Sequence, residues 1–296
     1  MEAPKPIPGT ARRGGEPSYR KPKLPAKAEM IAYYERVAPL LLVHGARRPL
    51  NLFRCTAGHC FFQRNRNHPD SAGAFGPPIG FVAIAQKNGR TEDYLYVEDR
   101  AGILACAEAD AVEFHGWGSL AGDVERPDRI AFDLDPGEGV GFERVKEAAL
   151  TLRALLEQVG LASFALLSGG KGIHVVVPLI ASADWAEVRL FARTLCTALA
   201  RAEPERFTVA LPKREREGRI FLDYLRNQRT ATAILPYSLR ARVGAPVAAP
   251  VSWAELAKLD RAARFTIADS GLLLSRARAP ALRGWGKARQ RLPRLG

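Results

Sequence analysis

Acid is missing from the last 27 residues of this 296-residue chain, and cysteine and long apolar runs are scarce throughout. Four cysteines (Cys55, Cys60, Cys106 and Cys196) do not make a disulfide framework in a chain this long, so a reducing, cytoplasmic setting is expected. Cys55 and Cys60 flank His59, but the C-x4-C spacing has no second ligand pair nearby, which argues against a structural zinc. No apolar run approaches the roughly 18–20 residues of a membrane span, and Pro39 breaks the longest candidate, Val37 to Val43. The N-terminus carries no apolar segment of the kind a secretory signal needs.

What is present is a globular composition, 47% hydrophobic and 25% charged, which excludes global disorder and fibrous folds. The net charge of +13 is unevenly placed. Residues 1–28 contribute +5, residues 270–296 contribute +7, and everything between contributes +1. Basic termini point to a polyanionic partner, because Lys and Arg release counterions from phosphates. Residues 1–26 are rich in proline and glycine and read as a basic tail or linker ahead of one domain at 27–296.

From Lys27 the spacing predicts a helix, with Met30, Ile31, Tyr34, Val37 and Leu41 on one face. Short strands are expected at 50–54, 61–63, 81–85, 94–97 and 111–117. The second half predicts strands at 129–135, 164–168, 173–179, 207–211 and 219–225, helices at 142–159 and 183–202, and a mostly helical tail anchored by Trp285. Helices and strands alternate, but hairpin-like joins argue against a purely parallel sheet. The expected class is mixed α/β, or α+β.

The sharpest local feature is the DLDPG segment at 133–137. In a strand, Asp133 and Asp135 project from one face while Leu134 turns to the core. Two carboxylates this close repel unless one is protonated or a cation lies between them, and a hard divalent ion suits oxygen ligands. Asp223, ending the apolar run RIFLD, is the best third acid. Ser168-Gly169-Gly170-Lys171-Gly172-Ile173-His174 joins two apolar strands, and its glycine amides and Lys171 suit a phosphate. It is not a Walker A loop, because Ala165 stands where that motif needs glycine and Gly172 follows the lysine. Phe61 and Phe62 are consecutive, so a strand points one of them outward, near Arg54, Arg64 and Arg66, as a base-stacking platform would require.

Taken together these blocks resemble the polymerase domain of bacterial DNA ligase D, in the archaeo-eukaryotic primase superfamily. The resemblance runs from about Lys27 to the C-terminus, through AEMIAYYERVAPLLL, RRPLNLFRC, FFQRN, EFHGWGS, FDLDPGEGV, LLSGGKGIHVVVPL and FLDYLRNQRTATAILPYSLRAR, in order. It implies a primase-polymerase fold, with mixed or antiparallel central sheets, an RRM-like catalytic part and flanking helices. It implies that Asp133, Asp135 and Asp223 hold two ions, Mn²⁺ or Mg²⁺, and that Ser168, Gly170, Lys171, Gly172, His174 and Arg240 bind the nucleotide's phosphates. His115 corresponds to a histidine that reads the sugar near its 2′-hydroxyl. Arg54, Phe61, Phe62 and Arg64 fall near the template strand, and Lys27 near the 5′-phosphate beyond a gap. The implied activity is templated addition of nucleotides, preferably ribonucleotides, to DNA ends in non-homologous end joining, with Ku and a DNA ligase as partners. A second family lysine is replaced by Pro17, with Lys21 and Lys23 close by. Neither a ligase motif nor a nuclease module occurs in these residues. Competing readings are a primase that starts chains de novo, a nuclease using the same acids, and a non-catalytic module that binds DNA ends.

Overall fold

Apolar alternation, helical periodicity and glycine turns place the elements of the fold close to where the sequence predicts them. The computed structural model describes residues 19–56, 58–66, 75–86 and 88–293, so most of the tail expected at 1–26 lies outside the described residues. Within that expected tail, β1 (Tyr19–Arg20) pairs with β3 (His59–Gln63), and the Tyr19 ring packs against Phe53 and Phe62.

The first helix, α1 (Lys27–Gly45), buries Met30, Tyr33, Tyr34, Val37, Ala38 and Leu41. Pro39 sits inside it on the exposed face, where the carbonyl it leaves without a partner can bond water. Two buried tyrosines tie this helix to distant chain. The Tyr33 hydroxyl donates to the Tyr237 carbonyl at 2.9 Å, and that of Tyr34 to the Val112 carbonyl at 2.6 Å.

One sheet has five strands in the order β1, β3, β2 (Leu50–Cys55), β6 (Ala111–Trp117), β12 (Thr232–Ile234). A separate hairpin pairs β4 (Gly80–Ala85) with β5 (Thr91–Tyr96), and α2 (Arg100–Glu108) follows it. The second sheet has six strands in the order β10 (Phe207–Thr208), β11 (Ile220–Asp223), β7 (Arg129–Pro136), β9 (Ile173–Pro178), β8 (Phe164–Leu167), β13 (Ala249–Val251). Every pairing is antiparallel except β10 with β11, which gives the mixed and antiparallel architecture expected.

One face of the second sheet is apolar. Ile130, Phe132 and Leu134 lie opposite Val177, Val175 and Ile173 on β9, and Leu134 also lies opposite Leu222 on β11. All are buried in one core with residues of α3 (Phe142–Gln158) and α4 (Trp185–Ala202). The carboxylates of β7 therefore have only the other face to occupy.

Three expectations change. The strand predicted over 207–211 shrinks to two residues, because the chain turns at the charged PKREREG segment. The tail is only partly helical, in α5 (Trp253–Leu256) and α6 (Ser270–Arg278), but Trp285 does anchor it: the indole N–H donates to the Ala165 carbonyl at 3.0 Å. Cys55 and Cys60 form a disulfide, against the expectation from cysteine count, because the β2–β3 register sets them directly opposite with their Cα atoms 4.1 Å apart. Cys106 and Cys196 are free and buried. Among the described residues no helix is long and apolar enough to cross a membrane.

Candidate active site

Strand register assembles the acids. Asp133 lies directly opposite Asp223 on β11 and directly opposite His174 on β9, so three polar side chains form a row across the sheet. Asp135 stands two residues further along the same face of β7. The His174 Nε2 is 3.3 Å from Asp133 Oδ1, and its buried Nδ1 has no hydrogen-bond partner.

The Arg226 guanidinium, which the sequence reading missed, stands among these acids. It lies 3.3 Å from Asp133 and 3.1 Å from Asp223, brought back by the 3-10 turn Leu225–Asn227 that follows β11. Arg216 stacks on Phe221 and lies 3.7 Å from Asp135. The local signal for Arg226 was its position three residues after Asp223.

Charge is distributed unequally over the acids. Burial alone would raise Asp133, but His174, Arg226 and Arg240 hold it well below the usual carboxylate range. Burial and then the charge of Asp133 push Asp135 upward. Asp223 is also raised, by burial and by Asp133, with Arg226 opposing.

The glycine turn lies against β7. A Cβ at Gly172 would come within 2.4 Å of the Leu134 carbonyl oxygen, so only glycine permits this approach beside Asp133. Gly169 has φ +67°, the left-handed region that closes the hairpin. Ser168 serves the turn itself: its hydroxyl donates to the Gly172 carbonyl at 2.8 Å and accepts from the Gly170 amide at 3.2 Å. Lys171 is exposed at the tip.

The facing strand, β6, contributes His115 and Glu113, two residues apart on one face. Glu113 is buried and also went unread in the sequence, although the same alternation that singled out His115 places it. Its carboxylate accepts from Arg240 Nε at 3.0 Å and from the Ala241 amide at 2.7 Å, and its other partner is His115 Nε2 at 2.8 Å. Arg240 also donates to the Ser168 carbonyl at 2.6 Å, which ties the two sheets together. Burial opposes ionisation of Glu113, yet Arg240 and His115 bring it down to about 2. Burial lowers His115, against the pull of Glu113.

The residues expected at DNA are placed differently. Arg54 is buried, donating to the Ala109 carbonyl and the Gln63 side chain at 2.6 Å each, so it braces the first sheet rather than standing exposed. Phe61 is buried beside it. Phe62 is the half-buried member of the pair, with its ring 5.4 Å from that of His115. Arg64 pairs with Glu92 at 3.7 Å, and Lys27 pairs with Asp110 at 2.9 Å. None of these five lines the cavity over the acids.

That cavity, about 730 Å³, is lined by Asp133, Asp135 and Glu138 and by six cations: Lys171, Lys213, Arg216, Arg226, Arg240 and Arg242. Among the described residues no three His, Cys, Asp or Glu side chains are grouped closely enough to hold a metal ion, and Arg226 stands between Asp133 and Asp223. The donor set nonetheless fits a hard divalent cation: three carboxylates, two of them made costly to ionise by burial and mutual repulsion. Arg226 occupies the position between Asp133 and Asp223 that a bound cation would take, and would have to yield it. Arg226→Gln should lower stability in EDTA by about 1–2 kcal/mol, allowing for the solvent that reaches its guanidinium. Added Mn²⁺ should raise the melting temperature more in the variant than in wild type. Equal shifts would show that the guanidinium does not compete for the cation position.

Acids in a row beneath a rim of cations have the charge pattern that a polyphosphate and a hard cation would require, the class of site found in nucleotidyl-transfer enzymes. Comparison narrows the class: the family model described as "LigD, primase-polymerase domain" matches residues 26–280, and the chain belongs to that family. It is 36% identical over 245 residues to the multifunctional non-homologous end joining protein LigD of Pseudomonas aeruginosa, covering 82% of this chain and 28% of that protein. It is 31% identical over 245 residues to the bifunctional non-homologous end joining protein LigD of Bacillus subtilis, covering 81% of this chain and 38% of that protein. The chain thus spans about a third of the length of these relatives. The fold matches the polymerase domain of Mycobacterium tuberculosis ligase D, solved in complex with DNA, with a TM-score of 0.77 and 29% identity, over 87% of this chain and 91% of that one.

Proposed function

We propose that residues 27–296 form a metal-dependent polymerase that adds nucleotides, preferably ribonucleotides, to DNA 3′ ends, filling gaps and preparing ends in non-homologous end joining. The observation that carries this reading is the row Asp223–Asp133–His174 with Asp135 beside it, of which Asp133, Asp135 and His174 line a cavity rimmed by six cations. Asp133, Asp135 and Asp223 are the residues that would hold two divalent ions, Mg²⁺ or Mn²⁺. Bound there, such ions supply Lewis acidity to the attacking hydroxyl and offset charge on the leaving pyrophosphate. Lys171 and Arg240 bind the triphosphate from the opposite side, and Arg240 enters that role pre-aligned by Glu113. A nuclease using the same acids would have no use for such a rim.

His115 gives the preference for ribose a physical basis. Glu113 is ionised at neutral pH, so His115 donates to it through Nε2–H, which leaves Nδ1 as an acceptor for a sugar hydroxyl. One such hydrogen bond discriminates by on the order of 1–3 kcal/mol. The half-buried Phe62 holds the ring edge-on and offers its own exposed part to the template.

In the cell we propose partners in DNA ends or gaps bearing a 5′-phosphate, Ku, and a DNA ligase on the same or a separate chain, in the bacterial cytoplasm at the nucleoid. Lys27 is the residue for the 5′-phosphate, with Lys21 and Lys23 in place of the second family lysine.

The test is extension of a primer on a gapped duplex with each NTP or dNTP and Mn²⁺ or Mg²⁺. Wild type should add the templated ribonucleotide. His115→Ala should bring the ribo/deoxy ratio of kcat/KM down by about tenfold. An unchanged ratio removes the sugar-reading role, and absence of any addition by folded protein removes the polymerase.

A further inference from the structure

Cys55 and Cys60 close the end of the β2–β3 hairpin, at the last rung of its ladder. In a reducing compartment, the setting proposed for this chain, a protein disulfide is as a rule transient or redox-sensing rather than a permanent brace. The pair is set apart from the other two cysteines, which are free and buried. Burial pushes the Cys106 thiol up to about 12 and raises Cys196 as well, which leaves both unreactive.

The lysine-bearing N-terminal segment hangs on this hairpin end. Among the described residues, β1 is two residues long and pairs only with Cys60 and His59. The Tyr19 ring packs on Phe53 and Phe62, which alternation places on the same face of the hairpin as the two cysteines. Lys21 Nζ donates to the carbonyl of Thr56, the residue after Cys55, at 3.3 Å. The Cys55 amide donates to the Asp110 carbonyl at 3.0 Å, and the Asp110 carboxylate pairs with Lys27 at 2.9 Å. Lys21 and Lys27, both offered above to a 5′-phosphate, are thus fastened to the disulfide end of the hairpin, one directly and one through Asp110.

A two-residue edge strand has little hold of its own. A bridge between cysteines five residues apart constrains a short loop, so it adds less to the stability of the whole fold than a long-range bridge would. Breaking it loosens the hairpin end and leaves the two sheets standing. Both cysteines are buried, but Gly58 in the turn between them is exposed, so opening of this end alone admits a small thiol.

We propose that Cys55 and Cys60 form a reversible redox clasp for the N-terminal segment. Closed, it docks β1 and sets Lys21 and Lys27 for a 5′-phosphate; open, it releases them. The oxidant is a small-molecule disulfide of the glutathione type. One cysteine thiolate attacks it, forming a mixed disulfide and expelling one small thiolate, and the second cysteine thiolate then displaces the other. The protein gives up two thiol protons and two electrons, one protein S–S bond forms, and the small-molecule S–S bond ends as two thiols. Excess small thiol runs the same steps backwards. The effect on DNA rests on the lysine reading given above, and the reversibility on the reducing setting.

The test uses the whole chain, equilibrated with reduced and oxidised glutathione over a wide range of ratios. Alkylation of the native protein with mass spectrometry reads the thiols at 55 and 60, and hydrogen exchange reads the amides at 19–20 and 59–63. Anisotropy at fixed salt reads affinity for a gapped duplex bearing either a 5′-phosphate or a 5′-hydroxyl. The pair should open and close within the range. In the open form, and in Cys55→Ser/Cys60→Ser, the hairpin-end amides should exchange about tenfold faster while those of the second sheet stay unchanged. The closed form should bind the 5′-phosphate gap about fivefold more tightly than the open form, and the 5′-hydroxyl gap equally well. Cys106→Ala/Cys196→Ala should keep the full response. A pair that stays closed or stays open over the whole range overturns the clasp, as do exchange and affinity that ignore its state. Faster exchange in the open form of a chain that binds both gaps equally in both states keeps the clasp and overturns the lysines as the 5′-phosphate site. No arm requires nucleotide addition, so failure of the polymerase reading shows separately.

Discussion

Asp133→Asn should reduce nucleotide addition by about 10³-fold or more while the chain stays folded. The amide keeps the size and shape of the side chain and removes the charge at the centre of the row, between Asp223 and His174. The melting temperature supplies a second readout that separates the acids. Asp133 is held below the usual carboxylate range, so its ionised form stabilises the fold at every pH above its unfolded value, and that contribution is lost on substitution. Asp135 and Asp223 are raised, so at neutral pH their ionised forms work against folding. Asp135→Asn and Asp223→Asn should therefore also lose activity, but with a melting temperature equal to or above that of wild type. Primer extension beside thermal melts in EDTA checks both parts. Near-normal extension by any of the three would remove the metal assignment, and a uniform fall in stability would remove the account of the site's electrostatics.

The second large effect belongs to Glu113→Gln. Glu113 is almost wholly buried, and its carboxyl is lowered to about 2 from an ordinary 4.5. A depressed carboxyl contributes stability that is present above its unfolded value and lost as pH falls through its folded value. The lowering corresponds to about 3 kcal/mol at neutral pH. Glu113→Gln should cost about that much at pH 7, a fall in melting temperature of roughly 6–12 °C for a domain of this size. The gap between variant and wild type should narrow as pH falls from about 4.5 towards 2. Because the same carboxylate aligns Arg240 and fixes the tautomer of His115, the variant should also show a higher KM for the triphosphate and a weaker ribose preference. A variant with wild-type KM and an unchanged ribo/deoxy ratio would show that Glu113 is only a structural anchor.

Both effects turn on residues of unequal visibility. Asp133 and Asp135 could be read directly, since a buried strand ending in DLDPG puts both acids on one face wherever that strand lies. The glycine turn was equally plain, although Ser168 closes the turn on itself through Gly172. The surroundings of Arg54 were not legible, because an arginine near two phenylalanines reads the same whether it is exposed or braces a sheet. Its burial is settled by Gln63 and Ala109, which lie nine and 55 residues away.

The sequence by itself determined the class of fold, the faces of β7 and β6, the hairpin joined by the lysine turn and, through blocks in consistent order, the family. These are properties of local periodicity and turn chemistry, which a strand or helix carries with it. Only the tertiary structure decided which strands are neighbours and in what register. That register set Asp223 opposite Asp133, joined Cys55 to Cys60 and brought Glu113 to Arg240 across 127 residues. Periodicity states which side of a strand a residue occupies. It carries no information about what stands across from it, because that partner is chosen by the packing of the whole chain.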